Sequence, residues 1–220
     1  MTTRFRSLSA LVALFLAGPM VSPCVAADAD KAAAEPKWES LFDGKTLKNW
    51  RAPQFGGEGK VEVKEGAIVV GRGDSMTGVT YTGKVPTMDY ELTFEGKRVD
   101  GVDFFCTTTF PVEKSHCSFV VGGCGGPVVG LSILDYYDAA DNETTRTKDF
   151  KLNQWYRIRI RVTKDKIECW IDDEKMVDVK TTGRKISIRF ECDLCKPLGI
   201  STWCTTGAVR DIRIRRLSGG

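Results

Sequence analysis

Two residues of the chain have the chemistry of an acid–base catalyst. His116, in the segment KSHCS, is the only histidine, and its side chain is the only one whose ordinary pKa lies near neutrality. Asp103 interrupts the apolar segment GVDFFC, where a carboxylate is costly unless it is paired or functional. His116 and Asp103 are therefore the candidate catalytic residues. The alternative for His116, besides a metal ligand, is a structural histidine at the end of a loop.

A second group of oxygen-bearing side chains lies in the longest polar loop, residues 135–149. Calcium takes 6–8 oxygen ligands, and four acidic residues of this loop could supply some of them. The loop has no EF-hand spacing, so a solvated acidic loop is the alternative. The sequence implies no certain cofactor, and the candidate calcium ligands are Asp135, Asp138, Asp141 and Glu143.

These groups need a framework, and its clearest element is the segment 154–179. Isoleucine and valine alternate with arginine along its first half, which is the pattern of a strand buried on one face. A polar turn and a second alternating run follow. The register predicted for this hairpin pairs Val162 with Ile167, Ile160 with Cys169 and Ile158 with Ile171 inside, and Arg161 with Glu168, Arg159 with Trp170 and Arg157 with Asp172 outside. A third strand would bury Val177 and Val179 if the turn before it is odd-numbered or bulged.

Short alternating segments separated by turn residues continue through the rest of the chain, and helical periodicity is nearly absent. This pattern predicts an all-β fold of two antiparallel sheets packed as a jelly-roll sandwich. Strands on residues 100–110 and 128–135 are expected to line one concave face. The other predicted strands cover residues 60–64, 67–70, 77–82, 88–95, 118–121, 185–192, 198–202 and 208–217.

The start of the chain reads as an export signal. Arg4 and Arg6 precede the short apolar stretch 8–16, and small residues before Asp28 suit cleavage there. We therefore predict a signal peptide at 1–27, a disordered tail at 28–37 and a single jelly-roll domain at 38–217. The product would be exported to the periplasm or the extracellular space. A lipid anchor on Cys24 is the alternative, although Pro23 fits it badly.

The balance of charges and the hydropathy of the chain limit the partners that the sequence suggests. The 32 basic and 29 acidic residues nearly balance, and the arginines of RDIRIRR alternate with isoleucine, so the sequence gives no reason to expect a nucleic-acid partner. No apolar segment beyond the leader is long enough to span a membrane.

Seven cysteines remain without Cys24, and we expect buried thiols with one or two disulfides. Cys192 and Cys195 form a CxxC, but a redox motif is not expected, because Cys192 falls on the apolar face of a predicted strand.

Several motifs, taken together, resemble the 3-keto-disaccharide hydrolase family. They are LFDGKTLKNW, VKEGAIVVGRG, TMDYELTFEGKR, GVDFFC, WYRIRIRVTKDKIECWIDDEKMVDV and GAVRDIRIRRL, spread over residues 38–217. The resemblance implies a concanavalin A-like or laminin G-like jelly roll that acts on carbohydrate. It also implies a reaction, the cleavage of a glycoside whose ring carbon 3 is a ketone. The ketone acidifies the proton on carbon 2, so a general base can start an elimination of the group on carbon 1.

The chain differs from many members of that family at polar positions of the expected cleft. Gly130 and Ser132 stand where many members carry Glu and Gln, and Ser201 and Trp203 stand where many carry Gln and His. The resemblance therefore makes the chain a divergent member. The candidate sugar-binding residues are Trp203, whose ring could stack on an apolar sugar face, and Thr107, Ser132 and Asn142.

The leading hypothesis is an exported hydrolase that acts on 3-keto-glycosides by general-base elimination followed by hydration. A carbohydrate-binding jelly-roll module without turnover is the alternative, and a purely structural sandwich is the third. A carbohydrate is the expected partner in the first two cases. The sequence leaves the sugar, the linkage and the oligomeric state open.

Overall fold

The computed structural model describes residues 37–217, so the predicted signal peptide, Cys24 and most of the predicted tail lie outside the described residues. The described part contains fifteen strands and one 3₁₀ helix, Phe190–Cys195, and none of its helices is long and apolar enough to cross a membrane. The strands are β1 Glu39–Ser40, β2 Trp50–Arg51, β3 Val61–Lys64, β4 Ala67–Val70, β5 Met76–Tyr81, β6 Tyr90–Asp100, β7 Thr107–Val112, β8 Ser115–Gly123, β9 Val128–Ser132, β10 Arg146–Thr147, β11 Trp155–Val162, β12 Lys166–Ile171, β13 Glu174–Lys180, β14 Leu198–Trp203 and β15 Thr206–Arg216.

The strands form two antiparallel sheets. The first sheet has the order β13-β12-β11-β6-β15-β4-β3, with β1 added along β15, and the second has the order β10-β9-β8-β7-β14-β5-β2. Both sheets send apolar side chains into one shared interior, among them Leu92, Phe94, Ile158 and Ile160 from the first sheet and Phe110, Phe119, Leu131 and Ile200 from the second. The predicted jelly-roll sandwich is confirmed.

The central hairpin has the predicted register. Strand β11 pairs with β12 so that Ile158 faces Ile171 and Ile160 faces Cys169, all fully buried. On the outer side the Arg159 guanidinium lies 3.7 Å from the centre of the Trp170 ring. Val177 and Val179 are buried as predicted. The irregularity that allows this is a register shift between Cys169 and Trp170, within the paired strands and not in the turn.

One outer pair of the hairpin differs from the prediction. The Arg157 guanidinium binds the Asp173 carboxylate at 2.5 Å, whereas the carboxylate of Asp172 accepts a hydrogen bond from the backbone N–H of Arg157. Asp172 has φ +55° and occupies the turn itself, so its side chain folds back on the backbone and leaves the guanidinium to the next residue.

The outer face of the first sheet buries the carboxylate of Glu91. Glu91 lies on β6 with only 2% of its side chain exposed, and it contacts Arg215 at 2.5 Å and Arg159 at 3.7 Å. Two arginines thus cover and neutralise the carboxylate, which removes most of the cost of burying it.

Two predicted strands are wrong at the places that shape the site. Residues 101–106 form a loop rather than the first half of a strand, because Gly101 has φ +89° and β7 begins only at Thr107. Residues 185–192 are not a strand either. They make one bridge, Ile186 with Leu134, and then enter the 3₁₀ helix.

The cysteines form no disulfide within the described chain. All seven are free thiols, so the expected one or two bridges are wrong for this part of the protein. Cys106, Cys117 and Cys169 lie in the interior, where burial raises the pKa of each thiol, that of Cys117 to about 12. Buried thiols of this kind act as small apolar side chains.

The burial of β11 gives a direct stability prediction. Ile160→Ala should lower the free energy of unfolding by about 2–5 kcal/mol, because it leaves a cavity between the sheets. Arg157→Ala on the same strand should change it by no more than about 0.5 kcal/mol, since Arg157 makes only an exposed ion pair. Urea denaturation of both variants measures the difference. Equal losses would contradict the assignment of the inner face.

Candidate active site

A cleft of about 250 Å³ lies on the outer face of the second sheet, on the side away from the shared interior. Strands β7, β8, β9 and β14 form its floor. Its walls come from the loop before β7, the turn after β8, the loop after β9 and the 3₁₀ segment. Its apolar lining includes Met76, Phe104, Val120, Val128 and Trp203, and its polar lining includes Asp103, Thr107, Ser118, Cys124, Ser132, Asp138, Arg189, Glu191 and Cys192.

Arg189 is the cationic group of the cleft. It immediately precedes the 3₁₀ helix, and its Nη1 lies 3.1 Å from Asp138 Oδ2 while its Nη2 lies 2.9 Å from Glu191 Oε1. The hydrogen bond to Glu191 raises the pKa of Arg189, and the same contact lowers the pKa of Glu191. Two carboxylates from different segments therefore hold one guanidinium in a fixed orientation at the cleft.

Asp103 reaches the same cleft from the loop before β7. Its Oδ1 accepts the N–H of Phe104 at 2.7 Å, and its Oδ2 accepts the N–H of Gly125 at 2.9 Å. The carboxylate thus joins two walls of the cleft through backbone hydrogen bonds. Within residues 37–217 Asp103 makes no ion pair at 4 Å or less, although Arg98 is near enough for a charge interaction.

Small hydroxyl side chains make up much of the floor. Ser118 and Thr109 share a hydrogen bond of 2.9 Å, and Thr107 Oγ1 accepts the N–H of Val121 at 3.4 Å. Ser132 is different, because its Oγ is buried and has no hydrogen-bond partner in the described residues. A buried hydroxyl at the wall of a cleft is a ready partner for a polar group of a ligand.

Trp203 supplies a flat apolar surface at the other side of the cleft. Its ring lies 6.3 Å from the ring of Phe104, and its backbone N–H donates to the carbonyl of that residue at 3.0 Å. Trp203 also packs against the buried group Met76, Cys192 and Cys195. The predicted sugar-binding residues Trp203, Thr107 and Ser132 therefore line one cleft together with Asp103.

His116 does not line this cleft. It lies on β8 opposite Pro111, near the end of the 3₁₀ segment. Partial burial lowers its pKa, Lys196 lowers it further, and Asp193 opposes them. The structure therefore separates the two residues that the sequence proposes as one catalytic pair.

Asn142 has a structural position inside the loop that follows β9. Its amide nitrogen donates to the carbonyls of Leu131 and Asp138 at 2.8 and 2.7 Å, and its Oδ1 accepts from the backbone and the hydroxyl of Thr144. Asn142 does not line the cleft. Its hydrogen-bonding groups are used to fold the loop, so a role in sugar binding remains a sequence prediction.

The acidic loop is held by arginines. Arg184 Nε donates to Asp135 Oδ2 at 2.6 Å, and its Nη1 donates to Glu143 Oε1 at 2.7 Å. Asp138 pairs with Arg189, and Asp141 is exposed. Within residues 37–217 no three His, Cys, Asp or Glu side chains are grouped as a metal site would need. Ion pairs thus hold three of the four predicted calcium ligands, Asp135, Asp138 and Glu143, to arginines.

Sequence reasoning missed Arg189 and Glu191. Both alternate with Ile188 and Phe190, so they read as the solvated face of a strand. In the structure the chain turns there, and Phe190 is instead 83% exposed. The only available signal was indirect, since the carboxylates of the acidic loop needed cations from elsewhere in the chain.

Residues 37–215 match the sequence model of a family described as the 3-keto-alpha-glucoside-1,2-lyase-like domain. The chain belongs to this family. The match confirms the resemblance inferred from the motifs, and it covers nearly all of the described residues.

Two solved structures with TM-scores above 0.5 share the fold of this family member. The apo Crh5 transglycosylase superposes with a TM-score of 0.57 at 15% identity, covering 85% of this chain and 86% of that one. The Bacillus licheniformis beta-glucanase superposes with a TM-score of 0.53 at 8% identity, covering 84% and 99%. The carbohydrate binding module CBM66 from Bacillus subtilis has a TM-score of 0.46 at 11% identity, covering 83% and 97%. A comparison with curated proteins gave no significant match.

The roles of arginine and calcium in the acidic loop can be separated. Arg184→Gln should lower the melting temperature by about 2–4 °C at pH 7. Hydrogen bonds from the Lys185 N–H and Arg184 lower the pKa of Asp135, and Arg184 lowers that of Glu143. Stabilisation by such carboxylates is present above their ordinary pKa and is lost as the pH falls through the lowered value. The difference in melting temperature between Arg184→Gln and the unaltered protein should therefore vanish in acid.

Arg146→Gln is the matched control for this experiment. Arg146 lies at the end of the same loop, but its guanidinium contacts only backbone carbonyls. Added calcium and a chelator should leave the melting temperature of the unaltered protein unchanged. A rise with calcium that the chelator reverses would instead support the calcium site.

Proposed function

We propose that this protein is a carbohydrate-active enzyme whose cleft binds one ring of a 3-keto-glycoside and cleaves it by elimination. The observation that carries the proposal is that Asp103 and Arg189 line the same cleft as the flat ring of Trp203. Family membership supports the keto-sugar substrate. The cleft volume of about 250 Å³ suits a single sugar ring, since pockets for larger ligands begin at about 300 Å³.

The reaction starts at carbon 2 of the oxidised ring. A base removes the proton there, and the electrons of the C–H bond move towards carbon 3, whose oxygen becomes an enolate. When the carbonyl at carbon 3 re-forms, a double bond forms between carbons 1 and 2 and the bond from carbon 1 to the leaving oxygen breaks. The leaving oxygen takes up a proton. Water then adds across the double bond, with its hydroxyl on carbon 1 and its proton on carbon 2.

Asp103 is the proposed base. Its two backbone hydrogen bonds fix the direction of the carboxylate without placing a cation against it. After it takes the proton from carbon 2, the same group can give that proton to the leaving oxygen. One carboxylate can therefore serve both proton transfers.

Arg189 is the proposed partner of the enolate oxygen. A guanidinium held on both sides by carboxylates is already oriented before the charge develops, which is how fixed dipoles and cations lower a barrier. Asp138 and Glu191 act as positioning residues for it. Ser132 Oγ is the free buried hydroxyl available to a sugar hydroxyl, and Trp203 provides a platform for the ring.

One observation favours a binding module without turnover. Every oxygen of the cleft carboxylates Asp103, Asp138 and Glu191 already accepts a hydrogen bond from the protein. Carboxylates whose oxygens are all engaged in this way can orient a sugar without taking part in proton transfer. The same cleft would then bind the keto-sugar and release it intact.

Export is part of the proposal and depends on the sequence alone. The charged and apolar segments before Asp28 support a periplasmic or extracellular location. Such a location would give the cleft direct access to carbohydrates outside the cytoplasm. Detection of the protein, shortened by its first 27 residues, in a secreted or periplasmic fraction would test this part.

The assignment of Asp103 and Arg189 can be tested with a 3-keto-disaccharide. Asp103→Asn should slow the release of monosaccharides by about 10²–10⁴-fold, the usual contribution of a general base. Arg189→Gln should slow it by about 10²–10³-fold, as does removal of one group that stabilises an oxyanion. Chromatography of the products measures both rates.

His116→Ala is the control, because His116 lies outside the cleft, and it should retain the full rate. Binding of the same disaccharide by calorimetry separates the alternatives. Binding without any release by the unaltered protein would favour the binding module. The absence of both binding and release would leave only the structural sandwich. A normal rate in the folded Asp103→Asn variant would remove Asp103 from the mechanism.

A further inference from the structure

Three sulfur-bearing side chains meet beneath the cleft. Met76 on β5 and Cys192 and Cys195 on the 3₁₀ helix form one small buried group, separate from the main interior. Both thiols are free, and Cys195 is fully buried. Cys192 also lines the cleft, so this group has a route to solvent. Neither the proposed mechanism nor the packing of the two sheets uses these sulfurs.

The helix type brings the two thiols to the same side. In a 3₁₀ helix the side chains at i and i+3 eclipse one another, and Cys192 and Cys195 have that spacing. Each thiol also lies within hydrogen-bonding reach of the Thr109 hydroxyl. A single hydroxyl can serve two sulfurs only if both converge on it.

Each sulfur also has a second hydroxyl neighbour on the sheet, Ser118 for Cys192 and Ser201 for Cys195. Ser201 donates its own proton to the carbonyl of Thr107, and Ser118 shares a hydrogen bond with Thr109. The two sulfurs therefore lie against a polar part of the sheet and outside its apolar interior.

We propose that Cys192, Cys195 and Met76 form a binding site for the monovalent copper ion Cu(I). Thiolate and thioether are the ligands that soft Cu(I) prefers, whereas a structural zinc site needs four nitrogen, sulfur or oxygen ligands. Binding breaks two S–H bonds, forms two Cu–S bonds and releases two protons, with no change in oxidation state. Copper binding should therefore weaken as the pH falls.

The test uses the fully reduced protein without oxygen. Cu(I) is titrated in competition with bathocuproine disulfonate, whose colour reports the copper that the protein does not hold. The protein should retain one Cu(I) per chain and give sulfur-only ligation by X-ray absorption. Cys192→Ser/Cys195→Ser should lose this copper, and Met76→Leu should bind it measurably more weakly.

Cys124→Ser/Cys204→Ser is the matched control, since it also removes two free thiols but leaves the buried group intact. It should retain one copper per chain. The proposal is overturned if this control loses copper as the other double variant does, or if Zn²⁺ displaces Cu(I). The unaltered protein is also denatured without reductant and its disulfides are mapped. A disulfide between Cys192 and Cys195 would overturn the proposal, because the CxxC would then not offer two thiols. Melting curves show whether each variant is folded.

Discussion

The second sheet is covered on both of its faces, and the position of the cleft depends on that arrangement. One face packs against the first sheet, and part of the other lies beneath the segment that carries the 3₁₀ helix. The approach is so close that a Cβ on Gly199 would lie 2.5 Å from the carbonyl oxygen of Cys195, so β14 needs glycine there. A larger residue would push the helix away from the sheet.

This close contact explains which residues reach the cleft. The helix covers the part of the sheet near β5 and β14, and it leaves open the part over β7, β8 and β9. Arg189 and Glu191 stand at the boundary between the two. The floor beneath them carries Ser and Thr rather than large side chains, which leaves space for a ligand. Asp103 reaches the same space because the chain bends before β7 instead of continuing as a strand.

The sequence predicted the architecture well, because strands with alternating apolar and charged residues can bury all their apolar side chains if two sheets pack face to face. The pairing of Ile160 with Cys169 and the stacking of Arg159 on Trp170 both follow from that alternation. Motifs spread along the chain also indicated the family. These features depend on local patterns that repeat every two residues.

The site was predicted less completely, for an identifiable reason. Residues 185–192 alternate like a strand, but only residues 185–187 pair, with the segment that follows β9, and the chain then enters the 3₁₀ helix. The helix exposes Phe190 and brings Arg189 and Glu191 to the cleft, which is the opposite of what the alternation predicts. Likewise, the pairing of Arg184 with Asp135 and Glu143 joins segments more than 40 residues apart. Spacing along the chain does not encode contacts of this kind.

Elimination through carbon 2 is the central chemical claim, and isotope incorporation tests it most directly. The cleavage of a 3-keto-disaccharide is run briefly in D₂O, and the released keto-sugar is examined by mass spectrometry and NMR. Elimination followed by hydration predicts deuterium at carbon 2, in excess of the slow exchange seen without protein. Release of a keto-sugar that keeps its original hydrogen at carbon 2 would contradict the account.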